Sequence, residues 1–100
     1  MLAEEGRLVE AARMAAQKND WGTVHKCAHE LIRVNSSNPE GFFLLGLAEK
    51  SARQATNSIN AFEKCLALDE RRFDAGIELA NLYHMSLRND EAFEVLERYQ

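Results

Sequence analysis

A recurrence at a fixed spacing of about 34 residues constrains this chain more than any other feature. Leu45-Gly46 stands midway between Ala11-Ala12 and Leu79-Ala80. Around each pair lie two apolar stripes of helical period, parted by a few polar residues. The recurring unit is therefore a pair of amphipathic helices. Its best-defined copy runs from Pro39 to Arg72, PEGFFLLGLAEKSARQATNSINAFEKCLALDERR, and fainter copies fill the chain on either side. Two short helices cannot bury their own apolar faces, so such units must stack.

The stripes predict six helices. The first covers Glu4 to Lys18, with Leu8, Ala11, Ala12 and Ala15 on its apolar side. The second runs from Trp21 to Val34 and buries Trp21, Val24, Ala28, Leu31 and Ile32, with Asp20 or Gly22 placed to cap it. Asn35-Ser36-Ser37-Asn38-Pro39 is the clearest breaker, and Pro39 falls in the first turn of a third helix, where proline is tolerated. That helix reaches Ala52 and carries Phe42, Phe43, Leu45, Leu47 and Ala48. The fourth, Ala55 to Leu68, turns Ile59, Phe62, Leu66 and Leu68 inward. The fifth, Phe73 to Ser86, uses Ile77, Leu79, Ala80, Leu82 and Tyr83. The sixth begins at Asn89-Asp90 and carries Ala92, Val95, Leu96 and Tyr99. No alternation of period two marks a strand, so the chain is read as all-α.

Charge narrows the partners. A net charge of -4 and a pI near 5.3 give no attraction to nucleic acid or to an anionic membrane. The only adjacent basic pair, Arg71-Arg72, follows Asp69-Glu70 and is read as a solvated turn. No segment approaches the roughly 20 apolar residues of a membrane span. The N-terminus has acidic residues where a signal peptide is basic, and no continuous apolar stretch. Cys27 and Cys65 lack the dense spacing of a disulfide scaffold. A reducing, cytoplasmic setting is the expectation.

The repeat resembles the tetratricopeptide repeat, whose signature is W-x2-L-G-x2-Y, then A-x3-F, then a late proline. The middle copy gives Phe42-x2-Leu45-Gly46 and Ser58-x3-Phe62, then Leu66-x-Leu68-Asp69. The third gives Leu79-Ala80-x2-Tyr83 and Ala92-x3-Leu96; the first gives Leu8-x2-Ala11-Ala12-x2-Ala15, then Val24-x3-Ala28 and Leu31. Departures are Glu70 for the proline, Glu49 for the tyrosine and Gly76 for the first aromatic, with Asn19, Arg53 and Leu87 in place of the helix-turn glycine. The resemblance implies a right-handed superhelix of three antiparallel helix-turn-helix hairpins in one domain, with repeats at about 5–38, 39–72 and 73–100. In that arrangement Ala12, Gly46 and Ala80 let the first helix of each hairpin approach the second, where Val24, Ser58 and Ala92 are the matching slots. Phe62 and Leu96 then fill the space between successive hairpins.

In this family the first helices of the hairpins line a concave groove. The resemblance places Val9, Arg13 and Ala16 there, then Phe43, Leu47 and Lys50, then Ile77, Asn81 and His84. Val9, Phe43, Leu47 and Ile77 are too apolar for a face that only meets water, and such a strip marks an interaction site unless a further helix or a second copy covers it. The function implied is a protein-interaction module that holds a peptide or helix of a partner. Phe43, Leu47 and Ile77 supply apolar contacts, and Arg13, Lys50, Asn81 and His84 set polarity and register. Phe43→Asp is expected to abolish binding while sparing the helices. The carboxylate clamp of chaperone-binding members is not expected, because Val9, Arg13, Leu44, Asp74 and Glu78 stand at its positions, and two acids would repel a carboxylate.

No constellation predicts catalysis, a metal or a cofactor. His25 and His29 share a helix face, but two ligands make a poor metal site, and they are read as an exposed pair on the convex side, with Cys27 pointing away. Cys65 occupies a core slot and lacks the base and orienting group of a nucleophile. Gly41 and Gly46 form no phosphate loop, and Trp21 is read as packed between helices. Two rival functions follow from the end at Gln100 without a capping helix. The chain would be a docking region of a larger enzyme, such as a transferase, or it would self-associate through Val95, Leu96 and Tyr99 of its sixth helix.

Overall fold

Side-chain caps and two left-handed residues set the punctuation of the chain. The computed structural model describes residues 2–85 and 89–98. They form α1 (Leu2–Gln17), α2 (Trp21–Val34), α3 (Pro39–Ser51), α4 (Ala55–Leu68), α5 (Phe73–Met85) and α6 (Asn89–Arg98). Among the described residues there is no strand. The predicted bounds of the second and fourth helices are those observed. α1 starts two residues earlier than predicted and α3 ends one residue sooner, the ordinary fraying of helix ends. The predicted end of the fifth helix at Ser86 and the inward position of Tyr99 lie outside the described residues.

Of the two candidate caps for α2, Asp20 serves: its carboxylate accepts from Thr23 N at 3.3 Å and from the Thr23 hydroxyl at 2.6 Å. Asn38 caps α3 by accepting from Glu40 N at 3.0 Å, with Pro39 in the first turn. The chain leaves α1 and α3 by the same turn, closed by Asp20 N to Ala15 O at 2.8 Å and Gln54 N to Glu49 O at 2.9 Å. Within those turns Asn19 and Arg53 both sit at φ 60°. Glycine is the residue suited to that conformation, and here an asparagine and an arginine adopt it instead.

The loop from α2 to α3 is held from the side by a residue the hydrophobic pattern does not reveal. Glu5, on α1, is buried and accepts hydrogen bonds from Asn35 Nδ2 and Asn38 Nδ2, each at 3.0 Å. The amide of Asn38, then that of Asn35, favours the charged form and holds the Glu5 carboxyl below its ordinary value.

Two apolar clusters form the core, and α3 lies between them. Leu44 and Ala48 face Ala12, Ala15, Val24, Ala28 and Leu31 of the first hairpin. Phe42, Phe43 and Leu47 face the opposite way, onto Ile59, Phe62, Leu79 and Tyr83. That two-sided burial is why α3 is apolar around most of its circumference. Leu44, which the stripe reading left out of the core, is buried for the same reason. Between α3 and α4 the backbone comes close: the Ser58 hydroxyl, fully buried, donates to Gly46 O at 2.7 Å. The stacked hairpins measure 39 × 24 × 19 Å.

Several predicted core positions are corrected. Ala11 and Leu68 are exposed, as are Ile77 and Leu96. Leu68 ends α4 well around the helix from buried Leu66, so the 3.6-residue turn carries it off the core face. Ile77 and Leu96 stand one repeat after Phe43 and Phe62, which pack edge-to-face at 5.7 Å and are covered by α5. Among the described residues no later helix covers Ile77 and Leu96, so they face outward, and Leu96 does not fill a space between hairpins.

Candidate functional site: the face of α1, α3 and α5

The first helices of the three hairpins present one continuous face, tied together by ion pairs that cross from helix to helix. Arg72, at the entry to α5, donates through Nη1 to Glu40 on α3 at 3.0 Å and through Nε and Nη2 to Asp74, both at 3.0 Å. The other oxygen of Glu40 meets Arg13 of α1 at 3.5 Å. At the far end of the face Lys50 Nζ donates to Glu78 of α5 at 2.6 Å. Three helices are thus laced by alternating charges. The Arg72 guanidinium depresses the Asp74 carboxyl, and the hydrogen bond to Asp74 in turn raises the pKa of Arg72.

Between these two sets of charges runs the apolar strip. Phe43 is half-buried, its ring edge-on to Phe62 and capped by the Arg72 guanidinium at 4.7 Å. Leu47 is half-buried beside it, and Ile77 of α5 is 53% exposed. Val9 and Ala16 are half-buried against the first core cluster. Asn81 and His84 are exposed on α5. Phe73, 59% exposed and four residues before Ile77, extends the α5 stripe by one turn.

The structure changes the reading of the polar members. Arg13 and Lys50 are each engaged with an acid on the first helix of the following hairpin, Glu40 of α3 and Glu78 of α5. The Arg71-Arg72 pair is not simply a solvated turn: Arg71 is exposed, but Arg72 organises the face. Glu40, Arg72 and Phe73 escaped the groove-position reading. The faint signal was that Glu40 and Asp74 are one repeat apart with Arg72 between their helices.

Elsewhere, His25 is half-buried and pairs through Nε2 with Glu49 Oε1 at 2.8 Å, while Glu49 also accepts from Asn57 Nδ2 at 3.1 Å. The pair is therefore not wholly an exposed surface feature: His25 links α2 to α3, and His29 Nε2 lies 3.3 Å from it. Among the described residues no group of three or more His, Cys, Asp or Glu is arranged to hold a metal, and no helix is long and apolar enough to cross a membrane. Cys65 is buried and its thiol is pushed up to about 11, chiefly by desolvation. Trp21 packs half-buried against the first cluster, as expected.

Neither family models nor curated proteins give a match to this chain. Solved structures do resemble it. The crystal structure of MamA superposes with a TM-score of 0.87 at 18% identity, over 95% of this chain and 56% of MamA. The Yersinia enterocolitica type III secretion translocator chaperone SycD, in an alternative dimer, gives 0.88 at 18% identity over 95% of this chain and 72% of its own. A chain of the CopN–Scc3 complex gives 0.85 at 16% identity over 95% and 56%. The present chain thus spans a little over half the length of two of them. At such low identity the likeness speaks for architecture alone: three stacked helical hairpins, shared with proteins of the tetratricopeptide-like helical-repeat kind.

Proposed function

We propose that this chain is a protein-interaction module without catalysis of its own, and that it holds an extended or helical segment of a partner along the face of α1, α3 and α5. One observation carries the reading: an apolar strip of half-buried Phe43 and Leu47 and exposed Ile77 lies between two sets of already paired charges. Cations satisfied by neighbouring acids do not call for an anionic ligand, so the segment would be mainly apolar. The names of two similar structures, a translocator chaperone and a two-protein complex, agree with partner binding. Cys27 and Cys65, both free thiols, suit a reducing compartment such as the cytoplasm.

Display selection of peptides on the whole chain tests this. Selected sequences should be rich in apolar residues and should lose binding to Ile77→Asp. Ile77 is the better probe than Phe43, because Phe43→Asp would also break the contact with Phe62. Peptides that bind wild type and Ile77→Asp equally well would overturn the assignment.

Self-association is the second reading, favoured by the joint exposure of Ile77 and Leu96 where a further hairpin would stack. Val95, proposed for that contact from sequence, is buried within its own chain and is not available to it. Sedimentation equilibrium across a dilution series, with wild type and Leu96→Lys, separates the two readings.

A further inference from the structure

His25 and His29 lack a third donor in the sequence around them, and the fold supplies one. They stand about one turn apart on α2, with their Nε2 atoms 3.3 Å from each other. Glu49, on α3, brings Oε1 to 2.8 Å from His25 Nε2. That nitrogen has one in-plane position, for a hydrogen or a lone pair, and two neighbours lie within reach of it. With a hydrogen there, both compete for it; without one, the Glu49 carboxylate faces a bare lone pair. A cation held by all three removes the conflict. The charge of Glu49 asks for the same thing. Its side chain is 12% exposed, and among the described residues no lysine or arginine pairs with it. It meets the His25 ring and, through Oε2, the amide of Asn57 at 3.1 Å. A largely buried carboxylate without a permanent countercharge is costly.

We propose that His25 Nε2, His29 Nε2 and Glu49 Oε1 bind a divalent transition-metal ion of the zinc type. Two nitrogens on one tetrahedral zinc, each bonded at about 2.0–2.1 Å, lie about 3.3 Å apart, and the two imidazoles already stand at 3.3 Å. Glu49 is not yet at that spacing, since 2.8 Å from His25 is a hydrogen-bond distance, so the three do not surround a common point in advance. A turn of the Glu49 side chain brings it into the ligand set. Two imidazoles with one carboxylate favour such an ion over magnesium or calcium, which prefer oxygen ligands alone. Asn57 orients the carboxylate from α4 through its other oxygen. A cleft of about 360 Å³, lined by His29, Glu49 and Asn57, admits the ion and a water for the fourth position. Lys26 follows His25 where a hydrolytic zinc helix carries a glutamate, so no base stands beside the ion. Its role is to brace α2 against α3, the first hairpin against the second. This site does not depend on the face of α1, α3 and α5.

The test titrates the full chain, without an affinity tag and stripped with EDTA, with zinc chloride in a calorimeter. One ion per chain should bind at micromolar zinc, and magnesium chloride should give no heat of binding. His29→Ala, a change at an exposed residue, and Glu49→Gln should each weaken binding at least about tenfold, the loss that even an outer-shell change causes. Cobalt chloride should give the intense visible absorption of a four-coordinate ion in wild type, and only the faint bands of a six-coordinate one in Glu49→Gln. Zinc should also raise the melting temperature of wild type more than that of Glu49→Gln, because only the carboxylate ties α3 to the ion. Should Glu49→Gln fail to fold, the cobalt spectrum of wild type and the zinc affinity of His29→Ala decide. The proposal is overturned if zinc does not saturate the chain below millimolar, if His29→Ala or Glu49→Gln binds zinc like wild type, or if cobalt on wild type stays six-coordinate.

Discussion

A methyl group added at Gly46 would stand 2.7 Å from both Cε1 and Cζ of Phe62, a ring with no exposed surface. Nothing around that ring can give way cheaply, since the Ser58 hydroxyl pins the same stretch of backbone from α4. Gly46→Ala is therefore expected to destabilise the chain by about 1–3 kcal/mol through overpacking. Pairing it with Phe62→Leu should cost less than the sum of the two single changes. Urea unfolding of the four proteins in that cycle checks both statements.

Arg53 holds φ 60° at the exit of α3, where a β-carbon crowds the backbone. Replacing it by glycine should stabilise the chain by roughly 1 kcal/mol, less the backbone entropy that glycine adds to the unfolded state. Asn19, at the same φ on the equivalent turn, should gain less, because asparagine tolerates this region. Thermal melts of Arg53→Gly and Asn19→Gly rank the two.

Glu5 gives the fold an acid-sensitive tie. Its carboxyl lies below 4.5 when folded, so the stabilisation it adds is complete above that value and fades as pH falls through the lower folded value. Glu5→Ala should be less stable than wild type at neutral pH, because two asparagine amides lose their acceptor. The gap between the two melting temperatures should narrow as pH falls below 4.5 and through the lower folded value, which melts at stepped pH will show.

The two thiols should react very differently. Cys65 is fully buried, and desolvation keeps it protonated, whereas Cys27 is only half-buried. With an aromatic disulfide reagent at pH 8, Cys27 should be modified first, and Cys65 at a rate that follows unfolding. Mass analysis against a urea series distinguishes the rates.

Periodicity made the helices and their order legible, because a fixed repeat length survives even where single positions depart from it. Close packing at Gly46 and Ser58 was legible for the same reason: a small residue recurring at a fixed offset has few uses other than admitting a neighbouring backbone. Burial at the last hairpin was not, since a stripe says which side of a helix is apolar and not whether anything lies against it. Ile77 and Leu96 carry the same signal as Phe43 and Phe62 and end in opposite environments. Polar contacts were least legible of all. Glu40 and Arg72 are 32 residues apart, and no local pattern ties them.

What the sequence determined by itself is the unit: two amphipathic helices of fixed length, repeated, each obliged to stack. That obligation is local, written in where apolar side chains fall around each helix. Only the tertiary structure decided which charges meet across α1, α3 and α5, and that Glu5 braces a loop 30 residues away. Those outcomes depend on how far and at what angle one hairpin leans on the next, and that is set by the sum of many side-chain volumes at once.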